Sequence, residues 1–213
     1  MASFDLIPLT GLTSYREVWT LQRERLEGVI AGTLPEALVL CEHAPVVTLG
    51  RNASLRGLLV DESTLTRLGV ELFRVERGGE ATIHLPGQLV AYPILKVRER
   101  GLRVSEYIYN LEEAMLSVAA DFGTEGYRIE GKPGVYTSAG KIGAVGVAIS
   151  RGVSYHGVAL NIAPDLSLFD LIVPCGDPGT PTASIASITG DKVSMEEARE
   201  VFLSRFQKIF GLC

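Results

Sequence analysis

The chain has 213 residues, 46% of them hydrophobic and 21% charged, with a formal net charge of -5. That is apolar material enough for a sizeable core in a single domain over residues 1–213, and too little charge for disorder. No overall basic field exists to hold nucleic acid, no window of about 18 uncharged apolar residues suggests a membrane helix, and the N-terminus lacks the pattern of a secretory signal.

Three cysteines, Cys41, Cys175 and Cys213, are too few and too odd in number for a disulfide framework and point to a reducing, cytoplasmic setting. In chain order, a first helix is expected from Ser14, with Glu17 completing a capping box and Tyr15, Val18, Leu26, Val29 and Ile30 as its apolar positions. Residues 37–41 and 45–49 read as short strands broken by a turn, followed by a short helix from Asp61 to Gly69 and a strand over 70–75. Residues 88–95 read as a buried strand. A long helix over 105–122 carries Ile108, Leu111, Met115, Val118 and Phe122 on one face and stops at Gly123. Residues 140–149 and 152–162 form a hairpin around Ser150-Arg151-Gly152, and a last helix starts at Ser194, with Glu197 as a second capping box. Interleaved strands and helices with hairpins predict an α/β (α+β) fold, a mixed sheet flanked by helices.

Five stretches hold more Gly, His, Pro and polar residues than a core needs: 77–84, Pro86-Gly87-Gln88, 140–143, Tyr155-His156-Gly157 and Pro174-Cys175-Gly176. Lys141 is the one charged residue between Lys132 and Arg151. Strand alternation would place it among Val145, Val147 and Ile149, where desolvation lowers an amine pKa; the alternative is a lysine that snorkels to solvent. Cys175 follows an apolar run between a proline that fixes the chain and a glycine that admits a substrate, as a nucleophile requires, although free cysteines are commonly buried packing residues. His84 and His156 either line a pocket or sit satisfied in the core; alternation puts His156 with Ser154, Val158, Leu160 and Ile162. Residues 126–132 match a phosphate loop until Pro133, which takes the place of the metal-binding hydroxyl, and Cys41-x-His43 has no second pair for zinc, so no metal site is expected.

The stretches RGGEATIHLPGQLVAYPIL (77–95), GKIGAVGVAISRGVSYHGVALNI (140–162) and IVPCG (172–176), in this order and spacing, resemble the lipoyl(octanoyl) transferases of the biotin/lipoate protein ligase-like group. The resemblance implies that group's catalytic-domain fold and transfer of an octanoyl group from octanoyl-acyl carrier protein. The acceptors it implies are lipoyl domains of 2-oxoacid dehydrogenase and glycine cleavage proteins, served by a monomer with no cofactor, no membrane and no nucleic acid. It assigns Cys175 as the acyl-bearing nucleophile and Lys141 as its catalytic partner. It places acyl binding on Arg77, Gly78, Gly79, Glu80, Ala81, Thr82, Ile83 and His84, on Ala144, Val145 and Gly146, and on Gly157, Val158 and Ala159, with His156 a further candidate. Leu85 stands where the family commonly has glycine, a bulky residue beside the expected pocket. Acidic partners would need a local positive surface, for which Arg51, Arg77 and Arg151 are candidates. The rival readings are an ATP-dependent lipoate/biotin-type protein ligase, a lipoyl amidotransferase, a Cys–His hydrolase of Cys175 with His84 or His156, and a non-catalytic lipoyl-domain binding module.

Overall fold

The computed structural model describes residues 4–53, 57–173 and 179–212. Cys175, the candidate nucleophile from the sequence, lies outside the described residues, as does Cys213. A seven-stranded mixed sheet runs in the order β1 (Phe4–Thr13), β2 (Glu36–His43), β6 (Gln88–Ile94), β10 (Val153–Asn161), β9 (Gly140–Ser150), β8 (Lys132–Thr137) and β7 (Tyr127–Ile129). β1 pairs parallel to β2, and the remaining pairs are antiparallel. A second sheet holds β4 (Glu71–Arg74), β3 (Val46–Leu49) and β5 (Ala81–His84).

The large sheet is covered on both faces, which is why β2 and β6 read as unbroken apolar runs. Leu38 and Leu40 of β2 and Leu89 and Ala91 of β6 enter a core with Leu111, Met115 and Val118 of α3 (Val104–Asp121), Ile185 of α4 (Ile185–Thr189), and Phe202 and Phe206 of α5 (Met195–Phe210). Their strand neighbours Val39, Cys41, Val90, Tyr92 and Ile94 face the other way, against Val18, Leu26 and Val29 of α1 (Tyr15–Ala31). The small sheet packs against α2 (Glu62–Arg67) and a 3-10 turn (Leu166–Leu171) through Val47, Leu49, Leu65, Ile83, Leu85 and Phe169.

The long helices and the hairpin are where the sequence places them. The hairpin turn is Arg151 (φ 49°) and Gly152 (φ 85°), the pair of left-handed residues that a two-residue connection demands. The Ser194 hydroxyl accepts from the Glu197 amide, capping α5. Ser14 stands at the N-cap of α1 without a side-chain cap, and α1 is anchored there by Tyr15, 2% exposed. Residues 37–41 and 45–49, read as neighbours about a turn, belong to different sheets. β1 and β8 escape sequence reading because Pro8 and Gly11, and Pro133 and Gly134, argue against strands. β1 is an edge strand whose register shifts between Pro8 and Leu12, which accommodates both breakers.

Candidate functional site

A cleft forms where the two sheets meet, with about 450 Å³ of empty space, part of it open to solvent. β5 contributes Thr82 and His84, β9 contributes Ala144, Val145 and Gly146, and β10 contributes His156, Gly157, Val158 and Ala159. Arg77, Gly79 and Glu80 line it from the loop before β5. Twelve of the residues expected from sequence thus share one cleft. Ala81 and Ile83 do not: alternation along β5 turns them into the small-sheet core, at 1% and 0% exposure. Leu85 is buried in that same core and is not among the residues lining the cleft, so its bulk takes no space there. Gly78 lines an adjoining groove and donates its amide to the Val147 carbonyl at 2.9 Å, stitching the loop to the open edge of β9.

Arg77 is a builder of the site. Its Nε donates to Thr48 Oγ1 at 3.0 Å, and Nη2 donates to the carbonyls of Thr48 (2.6 Å) and Glu80 (2.8 Å). At 6% exposure it is no part of a docking surface, which corrects the sequence expectation. Of the other two arginines proposed for docking, Arg151 is ion-paired with Glu27 on the surface, and Arg51 is exposed beside the groove. A Cβ on Gly50 would lie 2.4 Å from the Gly79 carbonyl oxygen, so the loop closes over a glycine.

Lys141 stands where the groove meets a smaller recess lined by Gln88, Ala144, Ala159, Asn161 and Thr182. It is 8% exposed; Nζ donates to the Pro133 carbonyl at 3.2 Å and sits 5.3 Å from the Tyr136 ring centre. Simple alternation fails here. The β8–β9 register shifts between Val135 and Tyr136, placing one extra residue in β9. Ile142 therefore joins the same core as Val145, Val147 and Ile149, and a Cβ on Gly143 would meet Met115 Sδ of α3 at 2.9 Å. Lys141 is left on the opposite face, the face of Ala144 and of Gly146, where a Cβ would meet Arg77 Cδ at 2.9 Å. The lysine accordingly shares its face with the small residues of the cleft, while Val145 and Val147 line the groove beside it.

The Lys141 backbone also organises what flanks Cys175. Its amide donates to the Pro181 carbonyl at 2.8 Å and its carbonyl accepts from the Ala183 amide at 3.0 Å. Asn161 Nδ2 donates to the Ala183 carbonyl at 2.9 Å and Oδ1 accepts from Gln88 Nε2 at 2.8 Å. On the other flank, the Val173 amide donates to the Gly57 carbonyl at 3.0 Å. Gln88 was visible in the sequence only as a member of a dense stretch, and Asn161 only within the block 140–162 that carries the family resemblance.

Tyr15 and Tyr92 also line the cleft and had no local signal, because each arrives from an element that reads as plain core. With His43 and His84 they form a cluster of rings, centroids 5.2–6.0 Å apart. His43 Nε2 accepts from the Tyr92 hydroxyl at 2.9 Å if Nδ1 donates to the Thr13 carbonyl at 3.3 Å, the tautomer that satisfies both. Burial pushes His43 down to about 4, His84 well below the ordinary imidazole value, and the Cys41 thiol up to about 12. Cys41 is thus an inert packing residue. His156 is lowered too, by burial that outweighs the Glu76 carboxylate 3.6 Å away. Its φ of 55° takes the imidazole out of strand alternation: Val158, Leu160 and Ile162 enter the α3 core, whereas the ring lines the cleft. Among the described residues no group of three or more His, Cys, Asp or Glu could hold a metal ion, and no helix is long and apolar enough to cross a membrane.

This architecture is the catalytic-domain fold shared by lipoate and biotin protein ligases. A putative lipoate protein ligase from T. acidophilum with bound lipoic acid superposes with a TM-score of 0.70 at 16% identity, covering 100% of this chain and 87% of that one. The chain belongs to the family described as lipoyl protein ligase A/B catalytic domain, whose model matches residues 14–207. An octanoyltransferase of Maridesulfovibrio salexigens is 39% identical over 200 residues, 94% of each chain. An octanoyltransferase of Nitratidesulfovibrio vulgaris (strain DSM 19637 / Miyazaki F) is 43% identical over 202 residues, 94% of this chain and 92% of that one.

Proposed function

We propose that this chain is an octanoyltransferase of lipoate biosynthesis, moving an octanoyl group from acyl carrier protein to a lysine of a lipoyl domain through a thioester on Cys175. The acceptors are the lipoyl domains of 2-oxoacid dehydrogenase and glycine cleavage proteins, and the enzyme works as a cytoplasmic monomer. The observation that carries the reading is a cleft for an acyl chain that ends beside a buried lysine, in a chain whose close relatives bear that activity in their names.

The chemistry follows from the groups. The Cys175 thiolate attacks the donor's thioester carbonyl, and the collapsing intermediate expels the carrier thiolate. Lys141 takes the proton from the Cys175 thiol and gives it to the departing carrier sulfur. In the second half-reaction the acceptor amine attacks the Cys175 thioester. Lys141 removes the amine's proton and returns it to the Cys175 sulfur, restoring the enzyme. Two thioesters and an amide balance without oxidant, nucleotide or metal. Apolar cleft walls stabilise the chain by about 0.8 kcal/mol per buried methylene.

Intact mass spectrometry after mixing with octanoyl-carrier protein tests this. One octanoyl group is expected on Cys175, and the Cys175→Ser protein is expected to hold no thioester. Undiminished transfer by Cys175→Ala would end the covalent reading, and product from ATP and free octanoate without carrier protein would make the chain a ligase.

A further inference from the structure

The acyl cleft has two chemically distinct ends. At one end its lining is shared: Thr82, Ala144 and Ala159 also border the recess of Lys141, and Gly79, Val145 and Gly146 also border the groove of Lys141. At the other end stand Tyr15, His84, Tyr92 and His156, which line neither neighbouring space. A chain whose carbonyl reacts near Lys141 therefore points its terminus at two tyrosines and two histidines. That is an odd destination for a methyl group.

These imidazoles are 6% and 1% exposed, and Nδ1 of His84 and both ring nitrogens of His156 have no hydrogen-bond partner among the described residues. Glu76 Oε2, 3.6 Å from His156 Nε2, is beyond hydrogen-bond length. His156 is held in this position at φ 55°, a conformation an ordinary residue adopts at a cost, of the kind that persists at functional sites. Burial keeps both rings neutral, so each offers one N–H and one lone pair.

Resting on the acyl-transfer reading, we propose that His84 and His156 form a polar stop that sets acyl length by chemistry rather than by a wall of packed atoms. An apolar terminus that advances onto these rings leaves their buried nitrogens unpaired, whereas a hydroxyl supplies a partner. Leaving a buried polar group unpaired costs more than one further methylene yields. The stop consequently accepts a slightly longer chain when its last atom is a hydroxyl.

Nonanoyl and 8-hydroxyoctanoyl groups have equal length and differ in that last atom. Offered in competition on carrier protein, with the Cys175 acyl-enzyme read by intact mass, 8-hydroxyoctanoyl is expected to win by at least about fivefold, equivalent to ~1 kcal/mol. His156→Gly removes the ring and suits the positive φ, and His84→Phe keeps a ring against Tyr15; both are expected to reverse the ratio. Equal use of the two donors by the parent, a preference for nonanoyl, or folded variants that keep the parent ratio would each overturn the proposal. Free nonanoic and 8-hydroxyoctanoic acids probe the same cleft without catalysis. A larger rise in Tm with the hydroxy acid, lost in both variants, supports the stop even if Cys175 is never acylated, and the opposite order overturns it.

Discussion

Lys141 makes two kinds of contact that separate its chemistry from its structural part. The side chain donates to the Pro133 carbonyl, whereas the clamp on Pro181 and Ala183 is made by its main chain. Lys141→Ala therefore keeps the clamp, and its folding midpoint in urea is expected to lie close to the parent's. Single-turnover acylation is expected to slow by about 10²–10⁴-fold, the usual worth of a placed acid–base group; a parent-like rate would remove Lys141 from the mechanism. His43 gives a prediction of a different sort. Burial sets it at about 4 in the folded protein, against about 6.5 unfolded. Above pH 6.5 neither state binds the proton and His43 contributes nothing. As pH falls from 6.5 to 4 the unfolded state gains a proton that the folded state refuses, so stability is lost by about 3 kcal/mol and then levels off. The urea midpoint is expected to drop across that window, and less so in His43→Gln.

At the scale of elements, β10 carries the site and its packing is tight. A Cβ on Gly157 would lie 2.0 Å from the Ala91 carbonyl oxygen of β6 and 2.8 Å from Pro93 Cδ. Gly157→Ala must push these two strands apart in the middle of the large sheet, at a cost of about 1–3 kcal/mol or more. In a domain of this size that is a fall in Tm of roughly 2–4 °C per kcal/mol, read by calorimetry. An unchanged Tm would mean that the strands separate freely. The extra residue in β9 is the other decisive local feature. It turns Lys141 from the face of Val145 to that of Ala144 and Gly146. The apolar periodicity of 140–149 shows a strand but gives no sign of the irregularity, because bulges are set by pairing with a partner strand. The facing of His156, a candidate from the sequence, escapes alternation for a like reason, since a left-handed histidine leaves no mark on the pattern around it.

Across the whole molecule, the cleft draws on five parts of the chain: Tyr15, residues 77–84, Tyr92, residues 144–146 and 156–159. The amino-acid sequence by itself determined the long helices, with their periodic faces and stops, the hairpin about Arg151 and Gly152, and most of the cleft lining. Local backbone preference and the dense Gly/His/Pro stretches carry that information, and the family motifs add order and spacing. Tertiary structure alone decided which residue of each stretch faces the cleft. It sent Ala81, Ile83 and Leu85 into the small-sheet core, turned Arg77 inward onto Thr48, and brought Tyr15 and Tyr92 from α1 and β6 to the cleft. The physical reason is that facing depends on register between strands distant in sequence and on which sheet covers which, and neither is encoded within any one segment.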